Sequence, residues 1–210
     1  MTLRSILWRF GYTLQRCGSG FWDADKEFSA LYVSVRSHTL VAEHRAYMLY
    51  QFANVARHLA GDVAQVGVYK GGMARMLAEV FKDSGKDFFL FDTFDGLPGQ
   101  KEIFADASIE GVRAYLAGYR TTFKQGFFPD TASDINKNFA FVYLDADLEK
   151  SIADGLEFFY PKMTTGGFIV VDDYGSKYWP GVKTSVDAFA RKINACPIIS
   201  AWSQCVFVKT

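Results

Sequence analysis

Short apolar runs and longer apolar-polar periods alternate along the chain. Val63 to Val68, Phe88 to Phe91, Phe139 to Leu144 and Phe168 to Val171 are apolar or nearly so at consecutive positions. Such runs predict strands covered on both faces. Thr121 to Gln125 reads as a weaker strand. Between the runs, apolar residues recur every three or four positions and predict helices. One spans Met73 to Lys82 and buries Met76, Leu77, Val80 and Phe81. Others span Ile109 to Leu116, Ser151 to Tyr160 on Ile152, Leu156 and Phe159, and Val182 to Ile193 on Val182, Val186, Phe189 and Ile193. Upstream, Leu40 to Leu59 reads as a helix with Val41, Met48, Phe52, Val55 and Leu59 on one face, Thr39 as N-cap and Gly61 as stop. Thr164 to Gly167 reads as a turn into the strand at Phe168. Ile198 to Trp202 and Cys205 to Val208 read as an antiparallel hairpin.

Strands alternating with helices predict an α/β fold: a doubly wound, Rossmann-like sheet, mostly parallel, with a C-terminal antiparallel hairpin. Residues 1–39 lack a clear period and are expected to form an arm or lid before a domain at 40–210. In such sheets ligands sit beyond the carboxyl ends of the strands, so chemistry is sought there.

Four strand ends carry candidate groups. Val66-Gly-Val-Tyr-Lys-Gly-Gly72 follows the first strand and leads into a helix. Its glycines admit a ligand to the backbone, beside the free N–H groups of the helix start. An ordinary glycine turn is the alternative. Asp92 ends the second strand, where a carboxylate accepts hydrogen bonds from a ribose diol or serves as a cap or turn residue. Asp145 and Asp147 follow the fourth strand, and Asp172 and Asp173 the fifth. Four carboxylates at neighbouring strand ends repel one another, and a hard divalent cation with oxygen ligands offsets that charge. The alternative for Asp147 is to cap the helix that follows. His38, His44 and His58 are not grouped with the acids. Tyr174, Tyr178, Trp179 and Pro180 either wall an acceptor pocket or pack their own loop.

Charge narrows the functional classes. Lys plus Arg and Asp plus Glu both count 23 in 210 residues. That balance gives no electrostatic footprint for nucleic acid. Cys17, Cys196 and Cys205 are odd in number and widely spaced, which predicts free thiols and neither a disulfide framework nor a zinc site. No apolar run approaches the roughly 20 residues that span a bilayer. Arg9 and Arg16 interrupt the N-terminal apolar residues, so Met1 to Phe10 reads as a surface or partner-contacting helix rather than a secretory signal. The expectation is a cytoplasmic protein.

The ordered blocks Asp62-Val-Ala-Gln-Val-Gly-Val-Tyr-Lys-Gly-Gly72, Phe91-Asp-Thr-Phe-Asp-Gly-Leu-Pro98, Gln125-Gly-Phe-Phe-Pro-Asp-Thr131, Leu144-Asp-Ala-Asp-Leu148, Tyr160-Pro-Lys162 and Gly166-Gly-Phe-Ile-Val-Val-Asp-Asp-Tyr174 resemble the macrocin O-methyltransferase (TylF/MycF-like) family, from about residue 38 to residue 193. The resemblance implies a class I methyltransferase fold that uses S-adenosylmethionine. It implies Mg²⁺-assisted methylation of a hydroxyl on a small molecule, a sugar of a glycosylated natural product. It assigns the cofactor to Gln65, Gly67, Tyr69, Gly71, Gly72, Asp92, Thr93, Gly126, Phe127, Phe128 and Asp145. Within that set the glycine loop cradles the methionine end, Asp92 the ribose, and Gly126 to Phe128 the adenine. It assigns the metal to Asp145, Asp172 and Asp173, and catalysis to Asp147 as general base with Asp145. A homodimer is a further expectation, with neither nucleic acid nor membrane as partner.

Two positions depart from the family pattern. Gln65 stands where the family has Glu, so a charge toward the cofactor's amino group is lost while a carbonyl acceptor remains. Glu149 stands where an aromatic residue is usual, which adds an acid beside the site. Gln65 also feeds a competing reading, a methyltransferase-like binding module without catalysis. A third reading takes Asp145-Ala-Asp147 as the D-x-D of a glycosyltransferase or phosphoryl-transfer enzyme, which the other blocks do not support.

Overall fold

The computed structural model describes residues 20–97, 99–200 and 202–210. The N-terminal helix expected at Met1 to Phe10, Cys17 and the first part of the expected arm lie outside the described residues. Seven strands form one sheet: β1 (Asp62–Val66), β2 (Phe88–Asp92), β3 (Thr121–Gln125), β4 (Phe139–Leu144), β5 (Met163–Asp172), β6 (Ile198–Ser200) and β7 (Gln204–Val208). Their spatial order is β3-β2-β1-β4-β5-β7-β6. The first five run parallel. β7 pairs antiparallel with both β5 and β6, so the expected hairpin closes the sheet. The helices are α1 (Lys26–Val35), α2 (Glu43–Ala56), α3 (Gly72–Phe81), α4 (Ile109–Tyr115), α5 (Glu149–Phe159) and α6 (Pro180–Lys192). No helix among the described residues is long and apolar enough to cross a membrane.

The doubly apolar strands are explained by two cores. Side chains alternate across a strand. Phe141 and Tyr143 of β4 face one core, with Leu49 of α2 and Met76 and Leu77 of α3. Val142 and Leu144 face the other, with Ile152, Leu156 and Phe159 of α5 and Val182, Val186 and Phe189 of α6. Each fully buried Leu, Val or Phe contributes about 1.5–3 kcal/mol of transfer free energy. Strand order reverses between β1 and β4, and a crevice opens there beyond the carboxyl ends.

Three local expectations are corrected. α2 buries Ala46, Leu49, Tyr50, Ala53 and Ala56, whereas Val55 is exposed. Of the face expected from large side chains, Val41, Phe52 and Leu59 pack on the core while Val55 does not, and small alanines supply much of the buried helix face. α1 falls where no period was evident. Its start is fixed by Asp25, whose side chain accepts from the Phe28 backbone N–H, and it buries Phe28 and Val35. β5 begins at Met163 rather than Phe168. The β4 register jumps from Phe139↔Met163 to Phe141↔Phe168, so the expected turn at Thr164 to Gly167 is an irregular excursion inside the strand.

One glycine fixes the crevice. Gly67 leaves β1 at φ +85°, and a Cβ there would sit 1.9 Å from the Asp145 carbonyl oxygen. The β1 and β4 ends touch at this point, joined by the Asp145 N–H donating to the Val66 carbonyl at 2.9 Å. Gly67→Ala is expected to cost about 3 kcal/mol, from the left-handed backbone plus the steric clash. Equilibrium urea unfolding measures it; a loss under about 1 kcal/mol would mean that the two strand ends separate easily.

Candidate active site

The crevice is a cavity of about 570 Å³. Its wall includes Gln65, Gly67, Tyr69, Asp92, Thr93, Gly126, Phe127, Phe128, Asp145, Asp147 and Asp173, which brings most of the sequence-expected residues together. Gly71, Gly72 and Asp172 are not on that wall. Gly71 instead takes the left-handed N-cap position of α3 at φ +84°. Gly72 packs under His38, where a Cβ would meet its carbonyl carbon and oxygen at 2.7 Å. The two glycines set the entry into α3 and its packing.

On the β1–β2 side, Gln65 is buried and its Nε2 donates to the Gly67 carbonyl at 2.7 Å. Its Oε1 is also buried and has no partner. Asp92 clamps the glycine loop. Its Oδ2 accepts from the backbone N–H of Val68 at 2.6 Å and of Tyr69 at 3.0 Å, and its Oδ1 from that of Phe94 at 2.8 Å. A carboxylate offers about four lone-pair sites, so one remains for a ligand hydroxyl. Tyr69, at φ 54°, donates its hydroxyl proton to Asp106 at 2.8 Å, and Lys70 pairs with the same carboxylate. Phe128 is held by the rings of Phe91, Phe158 and Phe159, while Phe127 stands exposed at the rim.

On the β4–β5 side the acids converge. One carboxylate oxygen from each of Asp145, Asp147 and Asp173 lies within 4.8 Å of the other two. Asp147 and Asp173 are both at positive φ, 57° and 59°, a conformation that Asp tolerates better than most residues. Asp147 does not cap α5: the N-cap is Leu148, without a side-chain hydrogen bond. Asp172 lies behind the trio, its side chain fully buried and held by three hydrogen bonds. Its Oδ1 accepts from Arg45 Nη1 at 2.7 Å and from the Asp173 N–H at 3.0 Å. Its Oδ2 accepts from the Tyr143 hydroxyl at 2.6 Å, and that hydroxyl also lies 3.0 Å from Asp145 Oδ2. Arg45 Nη1 reaches Asp173 Oδ1 at 3.2 Å as well.

Crowded like charges shift the proton affinities. Burial, then the charges of Asp172, Asp147 and Asp173, hold the Asp145 carboxyl well above the usual range. Burial, then Asp173 and Asp172, push Asp147 up to about 7. Burial and Asp172 also raise Asp173, against the pull of Arg45. Burial and the charges of Asp145 and Asp172 raise Tyr143 well above its ordinary value. For Arg45, burial works downward but Asp172, Tyr143, Asp173 and Asp145 outweigh it, so its pKa rises and the guanidinium stays charged.

Sequence reasoning missed Arg45, Tyr143 and His38. Arg45 comes from α2, 100 residues before the first acid, with no motif around it. Tyr143 reads as one more apolar strand residue, although it is the polar-tipped side chain of that run. His38 was set apart from the acids, yet it lines the same cavity and stacks on Tyr115 at 4.0 Å. Ser176, Tyr178 and Trp179 line the cavity too, which favours the pocket-wall alternative for the aromatic loop.

Comparison with known proteins extends this picture. Residues 112–210 match the family model described as Macrocin-O-methyltransferase (TylF). The chain is 28% identical over 167 residues to the 8-demethyl-8-(2,3-dimethoxy-alpha-L-rhamnosyl)-tetracenomycin-C 4'-O-methyltransferase of Streptomyces olivaceus, which covers 66% of this chain and 63% of that protein. It is 26% identical over 184 residues to the demethyldecarbamoylnovobiocin O-methyltransferase of Streptomyces niveus, which covers 75% and 70%. The match thus spans under two thirds of the Streptomyces olivaceus protein. Among solved structures, the O-methyltransferase NovP superposes with a TM-score of 0.73 at 24% identity, over 82% of both chains. Calicheamicin methyltransferase CalS11 superposes with a TM-score of 0.65 at 16% identity, over 88% of this chain and 92% of that one. Residues 112–210 thus match the macrocin O-methyltransferase (TylF) family model, and the sheet they complete has the class I methyltransferase fold.

Proposed function

We propose that this chain is an S-adenosylmethionine-dependent O-methyltransferase, assisted by a divalent cation such as Mg²⁺, that acts on a sugar hydroxyl of a glycosylated natural product. The observation that carries the reading is one cavity with two chemically distinct ends: a buried orphan acceptor, Gln65 Oε1, and three convergent carboxylates. The names of three relatives, O-methyltransferases of a rhamnosyl-tetracenomycin, of demethyldecarbamoylnovobiocin and of mycinamicin III, support the same reading.

The residues present fit both groups. An acceptor buried without a partner is costly unless a donor reaches it, and the ammonium of an amino acid moiety is such a donor. The carboxylates are hard oxygen donors whose mutual repulsion a divalent cation relieves. Bound S-adenosylmethionine would supply an electrophilic methyl group, passed from its sulfur to the acceptor oxygen as the hydroxyl proton leaves, and a divalent cation held by the acids would lower the pKa of that hydroxyl and orient it.

The chain's own residues do the rest. Gln65 holds the ammonium end through its free carbonyl. Asp92, with its remaining lone pair, takes a ribose hydroxyl, and its clamp on Val68 and Tyr69 fixes the loop around the methionine end. Phe127 and Phe128 flank the adenine. Asp145, Asp173 and Asp147 or Asp172 hold the cation. Asp147 Oδ accepts the hydroxyl proton when it is not a ligand. Tyr178 and Trp179 wall the acceptor side.

Two predictions follow from this arrangement. The first concerns stability without metal. Asp147 is raised from 3.8 to about 7 in the fold, so the folded state binds its proton more tightly than the unfolded chain. That stabilisation is fully present below about pH 4 and is lost as pH rises through about 7. In excess EDTA, Asp147→Asn is therefore expected to melt above wild type at pH 8 and level with it near pH 4; a gap that does not change with pH contradicts the shift. The second concerns activity. Calorimetry is expected to give heat with S-adenosylhomocysteine, weakened at least about tenfold by Asp92→Ala. Turnover of S-adenosylmethionine is expected on a panel that includes demethyldecarbamoylnovobiocin and mycinamicin III. Excess EDTA or Asp173→Asn is expected to abolish it while S-adenosylhomocysteine binding stays within about threefold. No heat with S-adenosylhomocysteine sinks the proposal; binding with no turnover on any acceptor turns it into the non-catalytic binding module.

A further inference from the structure

Gln204 is the least explained polar side chain in the described residues. It is 1% exposed, and both its Nε2 and its Oε1 are buried with no hydrogen-bond partner. A primary amide stranded in this way is destabilising unless something reaches it in another state of the protein. Its position identifies the candidate. In the β5–β7 ladder Gln204 stands directly opposite Asp172. Directly opposed residues share a face of the sheet, with Cβ atoms about 4.5–5.5 Å apart. Val170 and Val206, the next pair along, both face the core beneath α2. Asp172 takes Arg45 Nη1 from α2 on this same side. The His44 ring packs against Trp202 at 4.5 Å, so the first turn of α2 lies over the β6–β7 turn next to Gln204.

Arg45 is the positive group against the acids. It bridges Asp172 and Asp173, and its side chain is 19% exposed on the cavity wall. A divalent cation among Asp145, Asp147 and Asp173 would stand next to this guanidinium and repel it. A displaced guanidinium needs a new acceptor within the reach of its side chain, and the Gln204 carbonyl is free.

Resting on the reading of the acids as a cation site, we propose that Arg45 is a movable counter-cation. It sits on Asp172 and Asp173 when no metal is bound, and turns to Gln204 Oε1 when a divalent cation arrives, releasing both carboxylates. Arg45 is thus a positioning residue: it offsets the charge of Asp172 and Asp173 before loading, and it weakens metal binding so that the cation remains exchangeable. Gln204 is its second seat. The arrangement also accounts for the unpartnered carbonyl of Gln204.

Mn²⁺ binding to the metal-stripped full chain, read as loss of the free-Mn²⁺ electron paramagnetic resonance signal, tests this without any turnover. Arg45→Gln removes the competing charge and is expected to tighten Mn²⁺ binding at least about tenfold. A merely structural role would loosen it. Gln204→Met keeps the side-chain length, removes the second seat, and is expected to weaken binding about tenfold. Thermal melting of metal-free Gln204→Met reports on its fold and is expected at or above wild type, because the change removes an unpartnered amide; melting below wild type contradicts the orphaned state. Wild type without Mn²⁺ binding would overturn the cation reading itself. Wild type that binds, with Arg45→Gln no tighter or Gln204→Met no weaker, overturns the counter-cation inference alone.

Discussion

Like-charge repulsion at the ends of β4 and β5 is the constraint around which the molecule is organised. The register Leu144↔Val171 brings the two acidic turns side by side, and nothing in the sheet permits them to separate. Two apolar cores, one on each face, hold that register. Most of the free energy of folding is therefore spent far from the acids, in a scaffold stiff enough to hold an unfavourable cluster. The positive φ of Asp147 and Asp173 belongs to the same arrangement: the chain is bent sharply where the carboxylates must meet.

The cluster is not uniform. Asp172 is held by Arg45, Tyr143 and the Asp173 N–H, whereas Asp145, Asp147 and Asp173 face the cavity. One acid orients and three present themselves. The expectation from the sequence resemblance had Asp172 among the ligands and Asp147 outside. The two descriptions differ in the placement of one guanidinium, because an Arg45 that leaves Asp172 frees the carboxylate adjoining the trio. At the other end of the cavity, Gln65 presents a buried carbonyl acceptor without a partner, and Asp92 clamps the glycine loop beside it.

Much of this was legible in the sequence because its signals are local. Runs such as Phe139 to Leu144 announce a buried parallel strand, and a strand end followed by Asp145 or Asp172 marks where a ligand sits. Gly67 was marked by its place between strand and helix. What escaped depends on distant pairing or on small residues. The buried face of α2 rests on Ala46, Ala53 and Ala56, whose weak hydropathy Val55 and Phe52 outweighed. α1 hid behind a short amphipathic stretch, betrayed only by its Asp25 cap. Arg45 and Gln204 acquire meaning only when α2 packs on β5 and its first turn meets the β6–β7 turn, contacts that no window of sequence contains.

The central claim is that one cavity holds a methyl donor at Gln65 and Asp92 and a divalent cation at the acids, with the acceptor hydroxyl between them. The most direct test is a crystal structure of the chain with S-adenosylhomocysteine and Mn²⁺, with anomalous scattering recorded at the manganese edge. The account predicts one strong peak about 2.0–2.6 Å from carboxylate oxygens of Asp145 and Asp173 and at least one of Asp147 and Asp172, with the nucleoside against Asp92 and Phe128. A nucleoside in that place with no anomalous peak at the acids, or a peak bound elsewhere, would contradict it.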